Sequence, residues 1–156
     1  MSMVDHKDHQ SIGALIALDN ADTQADLIAA FEAAGIPTPL QASQAEALRQ
    51  ILASANLDLI IISSVIDGIY VAPMISEIRR GKLGPHPFPI VVALVTAADP
   101  AAIRQVSNCG PDDIIALPCP PQEMLDRINV FLAGARRPLV VNDGYAGPER
   151  RTGDRA

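Results

Sequence analysis

Residues able to do chemistry are spread along this 156-residue chain rather than gathered into a catalytic motif. Asp19, in Leu18-Asp19-Asn20, offers a carboxylate that could ligate a cation or cap the start of a helix. Ser63 and Ser64 offer hydroxyls that could take a phosphate or a ligand. A serine without an adjacent base is a weak nucleophile, however, and the more ordinary use of such residues, Thr96 included, is to satisfy backbone groups at a strand end. His6 and His9 have the i, i+3 spacing of a metal pair, but on a stretch expected to be a flexible tail. Cys109 and Cys119 lack Cys-x-x-Cys spacing and are expected to pack as small apolar residues, with thiol sensing as the alternative. Asp112-Asp113 reads as a solvated turn. There is no Gly-rich phosphate loop, nucleophile elbow or metal-ligand cluster, so no catalytic residue, metal or cofactor is expected.

The elements that must position these residues alternate. Residues 12–18 form an apolar run that reads as a buried strand. A helix follows, with Asp22 as its cap, Leu27, Ile28, Phe31 and Ala34 at helical spacing, and Gly35 at its end. Residues 37–42 are a short strand candidate. Ser43 opens a second helix with Leu48, Ile51 and Leu52 on one face, closed by Asn56. Residues 59–62 are wholly apolar, as a central parallel strand covered on both faces requires. A third helix at 72–80 turns Ile75 and Ile78 inward, and 81–87 is a loop. A strand at 88–95 ends in Thr96. A helix at 100–108 has Asp99 as cap and Pro100 in its first turn, and Gly110 ends it. Residues 114–117 form the fifth strand, and 121–133 a last helix burying Leu125, Ile128, Phe131 and Leu132. Five strands alternating with five helices predict an α/β doubly wound parallel five-stranded sheet. In such a sheet the ligand crevice lies beyond the carboxyl ends of the strands, at Leu18-Asp19, Ser63, Thr96 and Leu117.

Composition narrows the function classes. At 49% hydrophobic and 19% charged the chain can bury a normal core, and with 3% aromatics that core must be aliphatic. A net charge of −6 argues against nucleic acid or an anionic membrane as partner, because both need a basic face. No apolar run is long enough to span a bilayer, and the first ten residues carry Asp5, His6, Lys7 and Asp8 where a secretory leader would be apolar. A cytoplasmic protein is expected.

Four blocks carry a resemblance: Ala14-Leu15-Ile16-Ala17-Leu18-Asp19-Asn20-Ala21-Asp22-Thr23, Asp58-Leu59-Ile60-Ile61-Ile62-Ser63, Val95-Thr96-Ala97, and Gly110-Pro111-Asp112-Asp113-Ile114-Ile115-Ala116-Leu117-Pro118. In order and spacing they resemble the receiver domains of two-component response regulators, the CheY-like family, over residues 12–133. The resemblance implies a flavodoxin-like (βα)5 fold, with a flexible tail at 1–11, a receiver-like domain at 12–134 and a C-terminal tail at 135–156. It also implies a degenerate site. Leu18 stands at the first acidic position, Ser63 at the phosphoacceptor aspartate, Leu117 at the lysine and Ile114 at the aromatic switch; Asp19 and Thr96 alone keep the expected type. Acyl-phosphate formation needs a carboxylate nucleophile, a divalent cation and a cationic partner for the product, so these replacements remove the chemistry together. The expectation is a phosphorylation-independent protein–protein interaction module of bacterial signal transduction, not an enzyme. Its partner face, and a homodimer contact, would be helix four, strand five and helix five, with Arg104 and Arg127 as exposed charges.

The C-terminal stretch Arg136-Arg137-Pro138-Leu139-Val140-Val141-Asn142-Asp143-Gly144-Tyr145-Ala146-Gly147-Pro148-Glu149-Arg150-Arg151 is similar to a tail on some stand-alone bacterial receiver-like proteins. Its apolar run could add an edge strand or pack on a partner, with Tyr145, Arg150 and Arg151 as anchors; a solubilising end is the alternative. The Arg151 to Arg155 spacing resembles the arginine arm of cyclic di-GMP-binding PilZ domains, which leaves nucleotide binding as a second functional reading.

Overall fold

A computed structural model describes residues 12–96 and 99–149. The sheet is formed by β1 (Ala14–Ala17), β2 (Leu40–Gln41), β3 (Leu59–Ser63), β6 (Ile90–Thr96) and β7 (Asp113–Leu117). Two further strand pairs are β4 (Val65–Ile66) with β5 (Ile69–Tyr70), and β8 (Leu139–Val141) with β9 (Ala146–Pro148). The helices are α1 (Ala21–Ala33), α2 (Ala45–Ser54), α3 (Ala72–Arg79), α4 (Pro100–Ser107) and α5 (Pro121–Leu132). The order β2-β1-β3-β6-β7, parallel throughout, is the expected doubly wound flavodoxin-like sheet.

Alternation along the strands builds two cores. Leu15, Ala17, Ile60, Ile62, Val91 and Ala93 face α2, α3 and α4 and pack with Leu48, Leu52, Ile75, Ile78 and Val106. Ile16, Leu18, Leu59, Ile61, Val92 and Leu94 face α1 and α5 and pack with Leu27, Phe31, Leu125, Ile128 and Leu132. Because β1, β3 and most of β6 are covered on both sides, each reads as an unbroken apolar run in the sequence.

Local chemistry corrects several boundaries. Asn20, not Asp22, caps α1: its Oδ1 accepts the Thr23 N–H at 2.9 Å, and Asp22 lies in the first turn, where a negative charge suits the helix dipole. Gln44 rather than Ser43 precedes α2, without a side-chain cap. The second strand shrinks to two residues, and Leu40 there is exposed, as an edge position permits. Asp99 does cap α4, accepting from Ala102 N.

Two features were not expected. Asp67 and Gly68, both at positive φ, turn the chain between β4 and β5 directly after Ser64. Asp-Gly between apolar pairs is a hairpin signal present in the sequence, obscured by the long apolar run in front of it. The other is the β8–β9 hairpin. Leu139–Val141 does not extend the sheet; it pairs antiparallel with Ala146–Pro148, which is buried.

Candidate functional site

The crevice lies where the topology requires it, at the carboxyl ends of β1, β3, β6 and β7, as an open cleft of about 500 Å³. Leu18, Asp19, Asn20, Ser63, Ser64, Thr96, Asp99, Leu117 and Cys119 are among the residues lining it, so the sequence-derived positions do come together. Leu18 is buried, with its N–H donated to Gln24 Oε1 at 2.8 Å. The Ser63 hydroxyl, on a residue 7% exposed, accepts the Asp19 N–H at 2.9 Å, which is the backbone-satisfying role expected of it. Asp19 does not cap α1; its Oδ1 accepts from Asp67 N at 3.3 Å and ties the β1 end to the β4–β5 hairpin. Thr96 is exposed and lies opposite Leu117 in the β6–β7 register. Ile114 is half-buried and packs towards α4. The Leu117–Pro118 peptide is cis.

Hard oxygen donors are too few here for magnesium, which demands near-octahedral coordination. One Asp19 oxygen accepts from Asp67 N, the Ser63 oxygen accepts a backbone N–H, and the Leu18 side chain contributes no oxygen. Among the described residues no group of three or more His, Cys, Asp or Glu could hold a metal. His6 and His9 lie outside the described residues, as do Arg150, Arg151 and Arg155, on which the nucleotide reading depends.

A second polar centre occupies the opposite, amino end of β6 and β7. Asp112 is not a solvated turn residue: its side chain is 1% exposed and shared by two guanidiniums, Arg79 at 2.7 Å and Arg136 at 2.9 Å. Arg79, also buried, donates to the Gly110, Pro87 and Pro89 carbonyls, while Arg136 donates to those of Phe88 and Pro89. Burial pushes the Arg79 pKa down and Asp112 opposes that shift; a guanidinium stays charged regardless. Asp113 is likewise paired, accepting two bonds from Arg127, which also reaches the Ile114 carbonyl. Arg127 is therefore not a free surface charge.

The β8–β9 hairpin is fastened at this same end. Gly147 lies against Gly110 so closely that a Cβ on Gly110 would fall 2.1 Å from the Ala146 oxygen. Tyr145 is turned inward, donating its hydroxyl hydrogen to Pro148 O at 2.9 Å, rather than presented as a free anchor. The sequence signal for all this was the Arg136-Arg137 pair and the paired glycines, and only long-range contact gives either a meaning. Cys109 is packed as expected, with burial raising its thiol pKa to about 12. Cys119 is half-buried at the cleft edge, with its pKa raised by burial and by Glu123.

No family model matches the chain, and no curated protein matches it in sequence. Solved structures do match in shape. The receiver domain of a sensor histidine kinase from Pseudomonas aeruginosa, with a magnesium ion coordinated in its active-site cleft, is 18% identical with a TM-score of 0.67, over 80% of this chain and 98% of that one. The signal receiver domain of a histidine kinase from Syntrophus aciditrophicus is 18% identical with a TM-score of 0.66, over 86% and 100%. The response regulator DrrB of Thermotoga maritima is 13% identical with a TM-score of 0.67; the match covers 83% of this chain but 57% of that longer protein. The chain thus has the fold of response-regulator receiver domains.

Proposed function

We propose that the chain is a receiver-fold interaction module of bacterial signal transduction that neither accepts a phosphoryl group nor catalyses a reaction. The observation that carries this reading is the Ser63 hydroxyl accepting the Asp19 N–H at the end of β3, flanked by Leu18 and Leu117. A receiver's chemistry needs a carboxylate, a cation cage and a lysine at these three places. Here a hydroxyl engaged in the backbone network and two leucines fill them, so nucleophile and charge compensation are missing together.

The working surface in this reading is the side formed by α4, β7 and α5. β7 is an edge strand of the sheet, and Val130 of α5 is 53% exposed. A twofold contact between copies needs only one self-complementary patch, which makes a homodimer the simplest partner. The described part of the tail, anchored at the amino end of β7, belongs to the scaffold of this face rather than to a free arm. The net charge of −6 disfavours nucleic acid, and no helix among the described residues is long and apolar enough to cross a membrane. A cytoplasmic location accords with both features.

Intact-mass analysis after incubation with acetyl phosphate and magnesium tests the chemistry: an unchanged mass is expected, and a stoichiometric 80 Da addition (about the mass of one phosphoryl group) at Ser63 or elsewhere in the cleft overturns the reading. Charge reversal at Arg104 and a Val130→Asp substitution test the surface. Both should weaken self-association or partner capture without loss of fold, and retention of normal assembly in both refutes the assignment.

A further inference from the structure

The cleft that no longer suits magnesium still carries groups without partners. Ser64 is 6% exposed and lines the cleft, and its hydroxyl makes no hydrogen bond among the described residues. Its backbone N–H goes to Leu94 O and its carbonyl to Val71 N, so only the side chain remains to meet a ligand. Asp19 and Asp99 each use one oxygen on a backbone N–H, of Asp67 and of Ala102, and no Lys, Arg or His is among the lining residues.

Four backbone donors that an anion could use are already engaged. The N–H groups of Leu18, Asp19, Thr23 and Ser64 go to Gln24 Oε1, Ser63 Oγ, Asn20 Oδ1 and Leu94 O. Two carboxylates with spare acceptor capacity and no neighbouring cation favour positive charge instead. The half-buried Val65 and Leu117 give the cleft an apolar wall, which suits a carbon skeleton rather than a hydrated metal ion.

We propose that this cleft is a binding site for a small organic amine, whose ammonium group meets Asp19 and Asp99 while its chain lies on Val65 and Leu117 and its polar end reaches Ser64. The inference stands apart from the identity of any protein partner.

Amide NMR titration of the full chain with 1,4-diaminobutane tests it, with sodium phosphate and magnesium chloride in parallel titrations. The diamine should give saturable shifts at Asp19, Ser64, Thr96 and Leu117, and phosphate none. Asp19→Asn and Asp99→Asn keep the Oδ1 acceptor, hence the turn and the cap, and should each weaken binding roughly tenfold. Leu117→Lys places a competing ammonium in the cleft and should abolish binding. The proposal is overturned if the diamine gives no saturable shift, if phosphate or magnesium moves the same amides more tightly than the diamine, or if the two Asn variants bind as the parent does.

Discussion

At the amino ends of β6 and β7, Asp112 is held between Arg79 and Arg136, and the two arginines reach four further backbone carbonyls. At the carboxyl ends of the same strands, the described residues form no side-chain ion pair, and serine, threonine and leucine surround an open cleft. One sheet therefore has a closed end of paired charges and an open end whose carboxylates, Asp19 and Asp99, face no cation. A buried charge is tolerated only when paired and hydrogen-bonded, so the closed end ties the tail, the α3 end and two strand starts into one interdependent unit. At the open end Ser63 and the half-buried Leu117 leave no buried charge, so each can vary at modest cost to the fold.

The comparison can be broken by mutation, starting where the effect is largest. Asp112→Ala strands Arg79 in the interior and should cost about 3–5 kcal/mol in urea unfolding. A loss below about 1 kcal/mol would mean that the two ends are energetically alike. Gly110→Ala forces a Cβ against the Ala146 carbonyl at a φ of +97 and should cost about 2–4 kcal/mol. Deleting residues 136–156 should lower that penalty to the part set by the positive φ, since the clashing backbone is then gone, while removing the Arg136 partner of Asp112. If the Gly110→Ala penalty is undiminished in the truncated chain, the hairpin is not what encloses this glycine.

A pH titration sharpens the contrast through the two thiols. Cys109 has a folded pKa near 12 against an ordinary value of 9.0, so the folded state holds its proton more tightly. The resulting stability is fully present below pH 9.0 and is lost as the pH rises towards 12. Cys109→Ser should flatten stability between these limits, and native-state alkylation should label Cys119 well before Cys109. The smallest effect is expected in the cleft. Ser63→Ala removes one acceptor from the Asp19 N–H and should cost about 0.5–1.5 kcal/mol by the same unfolding assay. A larger loss would show that the open end is structurally tied down after all.

Much of the fold was legible in the residues. Apolar runs at 14–17, 59–62 and 90–95, separated by helical periodicity, leave a parallel sheet as the simplest arrangement. That topology alone brings Leu18, Asp19, Ser63, Thr96 and Leu117 to one end, so the place of the cleft was legible too. Caps were harder, because Asn20 and Asp22 are both good candidates and only the backbone path decides between them. The β4–β5 hairpin was missed although Asp67-Gly68 announces it, because two-residue strands carry too little periodicity to stand out.

The sequence by itself thus determined the sheet, its two helical layers and the residue types at the crevice, because burial on both faces leaves a periodic record in consecutive residues. Tertiary structure alone decided that Asp112 is buried, that Arg79 and Arg136 share it, and that the hairpin is fastened to the domain. The two arginines lie 33 and 24 positions from Asp112, with no periodicity to betray them. An aspartate after Gly110-Pro111 reads as a turn until a folded chain brings two arginines to it.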